Sequence, residues 1–241
     1  MSKWEMSKLS QPQSFRKSTI REYFESIVIA VILALFIRTW VVQAFKIPTG
    51  SMENNLLVGD HLLVNKFVFG PTLGDVDELF LPHATVERGD VIVFKFPNDP
   101  QRDFIKRVIG LPGEQIEIRN KTVYIDEIAL EEPYLPTHMT SVIPGGVVID
   151  RRDNLAPVAI PGDHYFVMGD NRDNSEDSRF WGTLAHDHIK GKAVVIYWSY
   201  DAVEPQLFVD PGIGATFRRV GSVFVHFFTR TRWDRVFLLV S

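Results

Sequence analysis

The chain has 241 residues, a formal net charge of −4 and 45% hydrophobic residues, which is enough length for one large β domain or two small ones. A charge this close to neutral argues against a dedicated nucleic-acid-binding protein. The absence of cysteine excludes disulfides, thiolate metal sites and a cysteine nucleophile, and it leaves the cellular compartment open.

An apolar segment follows a polar, basic tail at the start of the chain. Residues 1–22 form the tail, and residues 23–44 form the segment, whose centre from Ile27 to Ile37 is entirely apolar. The segment reaches the roughly 20 residues of a membrane-spanning helix if the charge of Arg38 extends to an interface. Basic residues are more frequent before the segment than just after it. We therefore expect a single-pass anchor in the cell inner (plasma) membrane, with a cytoplasmic N-terminus and an extracytoplasmic position for the chain from about Phe45 onward.

Two other interpretations of this segment stay open. A cleavable signal peptide would explain the basic start, the apolar centre and a small-residue motif at Val42-Gln43-Ala44. Arg38 and Trp40 are unusual residues so close to such a motif. A buried core helix would normally show a polar face, which the apolar centre lacks.

The chain beyond the apolar segment has the patterns of antiparallel β-structure. Short apolar or alternating runs bounded by turn residues predict strands at His61–Asn65, Asp90–Phe96, Asp103–Ile109, Gln115–Ile118, Thr122–Ile125, His164–Met168 and Ala193–Trp198. Asn120-Lys121 predicts a hairpin turn between two of them. Residues 69–86 predict a loop, and residues 133–161 predict an insertion or a small subdomain.

The C-terminal segment, residues 216–241, has a different pattern. Apolar residues with helical spacing lie among arginines there, in runs too short to span a membrane. The apolar residues are Val220, Val223, Phe224, Phe227 and Phe228, and the arginines are Arg218, Arg219, Arg230, Arg232 and Arg235. A basic, aromatic amphipathic element fits a membrane surface, and a helix packed on the β domain fits the pattern equally well.

A compact turn motif, Phe45-Lys46-Ile47-Pro48-Thr49-Gly50-Ser51-Met52, joins the apolar segment to the β-structure. Pro48 fixes φ and Gly50 allows a tight turn, so the motif can hold the Ser51 hydroxyl on a stiff support, as a nucleophile requires. The same composition is common in ordinary turns. The assignment of Ser51 as a nucleophile therefore depends on finding a base.

The candidate for that base is Lys106. None of the seven histidines lies in a recognisable triad motif, and a serine nucleophile needs a base. On the predicted strand, Phe104, Lys106 and Val108 share a face, so apolar neighbours should desolvate the amine and lower its pKa. Arg107 points the other way and keeps its proton. An exposed edge-strand lysine is the alternative interpretation.

A dense polar loop, GDNRDNSEDSRFWG, occupies residues 169–182. The alternation of Asp173, Ser175 and Asp177 suggests a calcium loop, but the glycine and the glutamate that such a loop requires are absent. We interpret the stretch as a supporting loop. Asp177 and Arg179 can pair in it, and Ser175 can hydrogen-bond an amine and aim it.

Three sequence blocks, taken in order, carry a family resemblance. They are IPTGSM at 47–52, RGDVIVF at 88–94 with FIKRVIGLPG at 104–113, and GDNRDNSEDSR at 169–179. Together they resemble bacterial type I signal peptidase, the membrane-bound leader peptidase. The similarity covers roughly residues 26–200, and the three blocks are specific jointly, whereas the first alone is not.

The resemblance implies a mainly β protein. Its antiparallel, barrel-like catalytic domain would cover residues 45–215, with a smaller β subdomain at 121–161, after one N-terminal transmembrane helix where some members have two. The resemblance also implies a serine endopeptidase with a Ser-Lys dyad, in which Ser51 is the nucleophile and Lys106 the general base. It implies no metal and no other cofactor.

The same matching assigns supporting roles to other residues. Thr49 holds the position of a hydroxyl residue that supports the oxyanion hole together with the Ser51 amide. Ser175 matches the residue that orients the lysine, and Asp177 and Arg179 match a supporting pair. The positions that line shallow pockets for small substrate residues are Phe45, Ile47, Pro48 and Ile105.

The implied reaction removes N-terminal signal peptides from exported preproteins by a cut after small residues. The cleavage region would lie extended beside residues 103–105 by β-addition. The implied partners are these cleavage regions and the lipid bilayer, with no nucleic acid and no metal.

Two other functions are considered beside this one. A self-cleaving repressor shares a Ser-Lys β core, but it predicts an N-terminal DNA-binding domain that residues 1–44 do not offer. A membrane-tethered β module without activity predicts no need for Ser51 and Lys106 together. A preprotein cleavage assay on variants of those two residues separates the module from the enzyme.

Overall fold

The structure, a computed structural model, describes residues 19–66, 85–135, 151–201 and 225–240. The chain divides into two compact units, one ending at Trp40 and the other beginning at Val41. Most of the loop predicted at 69–86 lies outside the described residues, as do Arg218, Arg219, Val220, Val223 and Phe224 of the C-terminal segment.

The first unit contains helix α1 at Thr19–Phe36, which continues as a π-helical stretch at Ile37–Val41. Arg21 and Glu25 form an exposed ion pair of 2.8 Å in its first turns. Large apolar side chains are exposed around the helix, among them Tyr23, Phe24, Ile27, Ile29 and Ile32. Within the described ranges, no helix has both the length and the apolar character needed to cross a membrane.

The second unit is mainly β, with twelve strands in its described part. In chain order they are β1 Val42–Lys46, β2 Asp60–Asn65, β3 Val91–Phe96, β4 Asp99–Gly110, β5 Gln115–Arg119, β6 Thr122–Ile125, β7 Ile128–Ala129, β8 Leu155–Ala159, β9 His164–Met168, β10 Leu184–Ala185, β11 Ile189–Ser199 and β12 Leu238–Leu239. The main sheet has the order β1-β2-β11-β3-β4-β9-β10, with β12 paired to β11, and the second sheet has the order β7-β6-β5-β8. The pairings are antiparallel, so the predicted antiparallel β fold is confirmed.

The structure differs from the predicted elements mainly at their ends. Strand β4 begins at Asp99 and not at Asp103, and β8 lies inside residues 133–161, where the sequence pattern itself predicts no strand. Strand β1 takes up Val42, Gln43 and Ala44, which the sequence places in the apolar segment. These residues form a strand because each pairs with a residue of β2.

The hairpin predicted at Asn120-Lys121 joins β5 to β6. Arg119 pairs with Thr122 across it, and both turn residues have positive φ, +50° and +68°, as a two-residue hairpin loop of this type requires. Strand β5 belongs to the second sheet. That sheet therefore starts at Gln115, before the expected subdomain boundary at 121.

Strand β3 lies at the centre of the core because successive side chains of a strand point to opposite faces. Val91 and Val93 belong to a first apolar cluster with Ile47 and Met52. Ile92 and Phe94 belong to a second cluster with Val108, Val167 and Leu184. The first cluster includes the residue that follows Ser51, so the core supports the Ser51 turn directly.

Candidate active site

Ser51 lies in a single 3-10 turn, Gly50–Met52, after strand β1. Ile47 anchors the approach to this turn: its side chain is fully buried, its N–H donates to Asp60 O at 2.9 Å, and its O accepts from Gly59 N–H at 3.1 Å. Ser51 itself is 8% exposed. The turn motif thus supplies the stiff support that the sequence predicts.

The start of the polar loop lies against the Ser51 turn. The Asn171 N–H donates to Ser51 O at 3.1 Å, and Asn171 Nδ2 donates to Gly50 O at 3.1 Å. A Cβ added at Gly169 would lie 2.4 Å from Ser51 O, so this approach requires a glycine. The first and third sequence blocks therefore meet at Ser51.

Lys106 lies on β4 and is only 3% exposed. Its Nζ is 2.6 Å from Ser51 Oγ, in a hydrogen bond that the ammonium donates and that the neutral amine can accept. The ring centroid of Phe104, on the same strand face, is 5.4 Å from Nζ. Burial lowers the pKa of Lys106 to about 8, against the opposing charge of Asp177. The predicted cause of the lowered pKa, desolvation, is confirmed.

A cleft of about 420 Å³ opens over Ser51 and Lys106. Of the residues expected in substrate pockets, three line it, namely Phe45, Pro48 and Ile105. Ile47 differs, because its side chain is fully buried in the first apolar cluster and does not reach the cleft. Thr49 also lines the cleft, and its side chain makes no capping hydrogen bond to the turn that follows. The other lining residues are Gly50, Arg102, Asp103, Phe104, Asn174 and Glu176.

Strand β4 offers an open edge beside this cleft. It pairs with β3 from Asp103 to Arg107, whereas its pairing with β9 includes Arg107 and only later residues. Within the described ranges, Asp103, Phe104 and Ile105 therefore pair on one side only, and all three line the cleft. An extended peptide can bind such an edge through backbone hydrogen bonds.

Asp177 and Arg179 lie together and are both buried. Arg179 Nε donates to Asp177 Oδ1 and Arg179 Nη2 donates to Asp177 Oδ2, each at 2.8 Å. The Gly169 N–H donates to Asp177 Oδ2 at 3.0 Å, and Asp177 also caps the short helix Ser178–Trp181. Burial raises the pKa of Asp177, but the hydrogen bonds and charge of Arg179, together with the Gly169 N–H, outweigh burial, so the net pKa is lowered.

Ser175 is buried close to these residues without a bond to Lys106. Its Oγ has no hydrogen-bond partner of ordinary geometry among the described residues. It lies near enough to Asp177 to contribute to the lowered pKa of that carboxyl. The orientation of Lys106 by Ser175 stays a prediction.

Two ion pairs that hold the loop in place could not be predicted from the sequence. Arg107, next to the lysine on β4, makes two 2.8 Å hydrogen bonds to Asp170 across 63 positions of the chain. Arg172 pairs with Glu132, through Nη1 to Oε2 at 3.0 Å. An arginine inside an apolar strand was the only signal in the sequence, and it does not identify a partner so far along the chain.

The aspartates of the loop are all engaged by basic residues. The pairs are Asp170 with Arg107, Asp173 with Lys121 and Arg152, and Asp177 with Arg179. They bind the loop to β4 and to the second sheet, which is the supporting role that the sequence suggested in place of a calcium loop. In the part of the chain that the structure describes, no three metal-ligating side chains are grouped together.

Comparison with known proteins identifies the family. Residues 20–198 match the sequence model of the family described as signal peptidase, peptidase S26. The chain belongs to this family. Signal peptidase I of Pseudomonas fluorescens is 34% identical over 229 residues, covering 84% of this chain and 78% of that protein. Signal peptidase I of Aquifex aeolicus is 33% identical over 229 residues, covering 75% of this chain and 85% of that protein.

A solved structure of a signal peptidase I from Enterococcus faecalis is also similar, with 31% sequence identity and a TM-score of 0.37, covering 45% of this chain and 96% of that one. The family match confirms the resemblance carried by the three sequence blocks. The chain is accordingly a serine endopeptidase of the signal peptidase family. The matched range contains the Ser51 turn, strand β4 and the polar loop.

Proposed function

We propose that this enzyme removes signal peptides from exported preproteins, with Ser51 as the nucleophile and Lys106 as the general base. The observation that carries the proposal is the 2.6 Å separation of Oγ and Nζ at a buried lysine whose pKa is lowered to about 8. A serine hydroxyl needs a base within hydrogen-bond reach, and a lysine serves only when its amine is neutral. Membership of the signal peptidase family supports a preprotein as the substrate.

Acylation begins with the neutral Lys106 amine. Ser51 Oγ attacks the carbonyl carbon of the scissile peptide bond while Nζ takes the hydroxyl proton. The carbonyl oxygen becomes an oxyanion, which the Thr49 hydroxyl and the Ser51 N–H stabilise as hydrogen-bond donors. The resulting lysine ammonium then protonates the leaving amine, the peptide bond breaks, and an ester joins Ser51 to the signal peptide.

Deacylation uses the same groups in the reverse order. Water attacks the ester carbonyl while Lys106 Nζ takes one of its protons, and the oxyanion forms again between the same two donors. The ester bond breaks, and the ammonium returns its proton to Ser51 Oγ. The enzyme is restored without any net change in protonation.

The cleft supports a preference for an extended segment with small residues. The substrate backbone adds to the open edge of β4 at residues 103–105, and Phe45, Pro48 and Ile105 form the apolar surface next to Ser51. Small side chains at the first and third positions before the cut would point towards this surface, because alternate residues of an extended chain share a face.

The apolar segment acts as a retained membrane anchor in this proposal. Exposed apolar side chains on α1 form the kind of surface that lipid or a partner covers. A cut after Ala44 would sever strand β1, which pairs with β2 from Val42 to Lys46. Sequencing the N-terminus of the membrane-bound protein should find the segment present, and a mature start at Phe45 would contradict the anchor.

The proposal is tested by cleavage of a purified preprotein by wild type, Ser51→Ala and Lys106→Ala. Wild type should release the mature protein with a single new N-terminus after a small residue, and both variants should be inactive. Lys95→Ala is the matched control, because Lys95 is an exposed lysine on the neighbouring strand β3. Cleavage by Ser51→Ala at the wild-type rate would rule out this assignment.

A further inference from the structure

We propose that Asn171 is a positioning residue that aims the Ser51 amide at the oxyanion. The inference rests on the proposed function, since it concerns the donor pair that stabilises the tetrahedral intermediate. Its basis is the pair of 3.1 Å hydrogen bonds from Asn171, one from Nδ2 to Gly50 O and one from its N–H to Ser51 O. No other side chain of the polar loop hydrogen-bonds the backbone of this turn among the described residues.

The first of these bonds acts on the peptide unit that contains the donor. Gly50 C=O and Ser51 N–H belong to one planar trans peptide and point in opposite directions. A hydrogen bond that fixes the direction of Gly50 O therefore fixes the direction of the Ser51 N–H. Gly50 O also accepts from Glu53 N–H at 3.1 Å within the turn, so two donors from different elements determine how this peptide is rotated.

The second bond acts on the next peptide unit. The Asn171 N–H holds Ser51 O, so the peptide planes on both sides of the Ser51 Cα are restrained by one residue. The direction of Oγ depends on these planes, because the side chain leaves the Cα that they share. A donor that is aimed before the reaction costs no reorganisation when the charge develops. A hydrogen bond at the carbonyl end also polarises the peptide and strengthens its N–H as a donor.

The test uses two substitutions that remove the side-chain bond and keep the backbone one. Asn171→Ala deletes the amide, whereas Asn171→Asp keeps its size but places an acceptor against Gly50 O. Asn154→Ala is the matched control, since Asn154 Oδ1 accepts a backbone hydrogen bond at the exposed end of the β5–β6 hairpin, away from the cleft. Ser51→Ala serves as the inactive reference.

We expect kcat for preprotein cleavage to fall roughly 10–100-fold in both Asn171 variants, less than the 10²–10³-fold loss for deleting an oxyanion donor outright. KM should stay within about twofold of wild type, because the uncharged substrate carbonyl needs the donor less than the oxyanion does. The apparent pKa of kcat should not move in Asn171→Ala, because this substitution leaves the Lys106 amine untouched and adds no charge near it. Thermal unfolding measured beside activity should show a folded protein in each case.

The possible outcomes separate this inference from the proposed function. A kcat within twofold of wild type in folded Asn171→Asp would overturn the positioning role. A loss confined to KM would instead make Asn171 a substrate-binding residue, and a shifted apparent pKa in Asn171→Ala would connect it to the Ser-Lys pair. If Ser51→Ala itself cleaves, the proposed function fails and the inference fails with it. If Ser51→Ala is inactive while both Asn171 variants match wild type, only the inference fails.

Discussion

Strand β4 carries a buried basic side chain on each of its faces, and the two side chains differ in their hydrogen-bond partners. Lys106 faces the cleft, where the Ser51 hydroxyl is the hydrogen-bond partner of its Nζ among the described residues. Arg107, the next residue, faces the opposite side and makes two 2.8 Å hydrogen bonds to Asp170. Its Nη1 also donates to Gly89 O at 2.8 Å, and its guanidinium lies 4.1 Å from the ring centroid of Tyr134.

This difference shows how one strand can carry both a cation paired with a carboxylate and an amine whose pKa is lowered by burial. A buried charge is tolerated when a carboxylate pairs with it at hydrogen-bond distance, and that pair then holds two segments together. A buried amine without a carboxylate partner avoids part of the free-energy cost of desolvation by losing its proton. The carboxylate of Asp177 near Lys106 is instead bound by Arg179, so it raises the lysine pKa only partly.

The largest expected effect comes from replacing Lys106 by arginine, so that it carries the same guanidinium group as its neighbour Arg107. Lys106→Arg keeps a positive charge on the cleft face, but a guanidinium cannot act as a neutral base near neutral pH. We expect preprotein cleavage to fall by roughly 10⁴-fold or more, while circular dichroism and urea unfolding report an intact fold. Activity close to that of wild type would remove Lys106 from the mechanism.

The free energy of unfolding should change in opposite directions when Arg107 and Lys106 are each replaced by methionine. Arg107→Met leaves the buried Asp170 without its cationic partner and should destabilise the fold by about 3–5 kcal/mol. Lys106→Met removes an ammonium that the fold disfavours and should stabilise it at pH 7 by up to about 3 kcal/mol, from a pKa near 8 against an ordinary 10.5.

Urea unfolding at pH 7 measures both changes. The control for the arginine is the double variant Arg107→Met/Asp170→Leu, which removes both charges and should recover part of the lost stability. A change of the same sign and size at the two positions would show that pairing with a carboxylate does not distinguish the two cations.

The third prediction tests the cleft face without altering either cation. Thr49→Val replaces a hydroxyl by a methyl of similar shape and should lower kcat roughly 10²–10³-fold with little change in KM. Thr122→Val, at the exposed start of β6, is the matched control. A variant that keeps kcat and loses substrate affinity would make Thr49 a pocket residue.

The fold could be predicted where the sequence pattern is local. The run Asp90–Phe96 indicates a buried strand, and Asn120-Lys121 indicates a two-residue hairpin. Strand β1 was assigned in part to the apolar segment because Val42 and Ala44 continue its apolar composition. Only the pairing with β2, some twenty positions away in the chain, makes these residues a strand, and a composition pattern contains no information about such a partner.

The candidate active site also contains some features that the sequence could predict and others that it could not. The face shared by Phe104 and Lys106 follows from strand periodicity, and the family resemblance adds the Ser51 pairing. The contacts of Asn171 with the Ser51 turn and of Arg107 with Asp170 need the three-dimensional arrangement, because each joins segments far apart in the chain. Ile47 also could not be assigned from its position between the pocket residues Phe45 and Pro48, because its burial depends on packing in the first apolar cluster against residues far along the chain.

The smallest expected effect, and the one most specific to Lys106, is the pH dependence of acylation. Free lysine has a pKa near 10.4, and burial lowers that of Lys106 to about 8. The neutral fraction then rises from about one-tenth at pH 7 to about nine-tenths at pH 9, so the acylation rate should rise roughly tenfold through this range. The lowered pKa also makes the stability of the fold depend on pH. Between pH 8 and 10.5 the unfolded chain binds the extra proton, so this group destabilises the fold below that window and its penalty disappears as the pH rises through it. Single-turnover rates on a preprotein between pH 6 and 10 measure the profile, with Lys95→Ala as a control that should match wild type. A rate that rises near pH 6.5 and is flat above it would indicate a histidine base in place of Lys106.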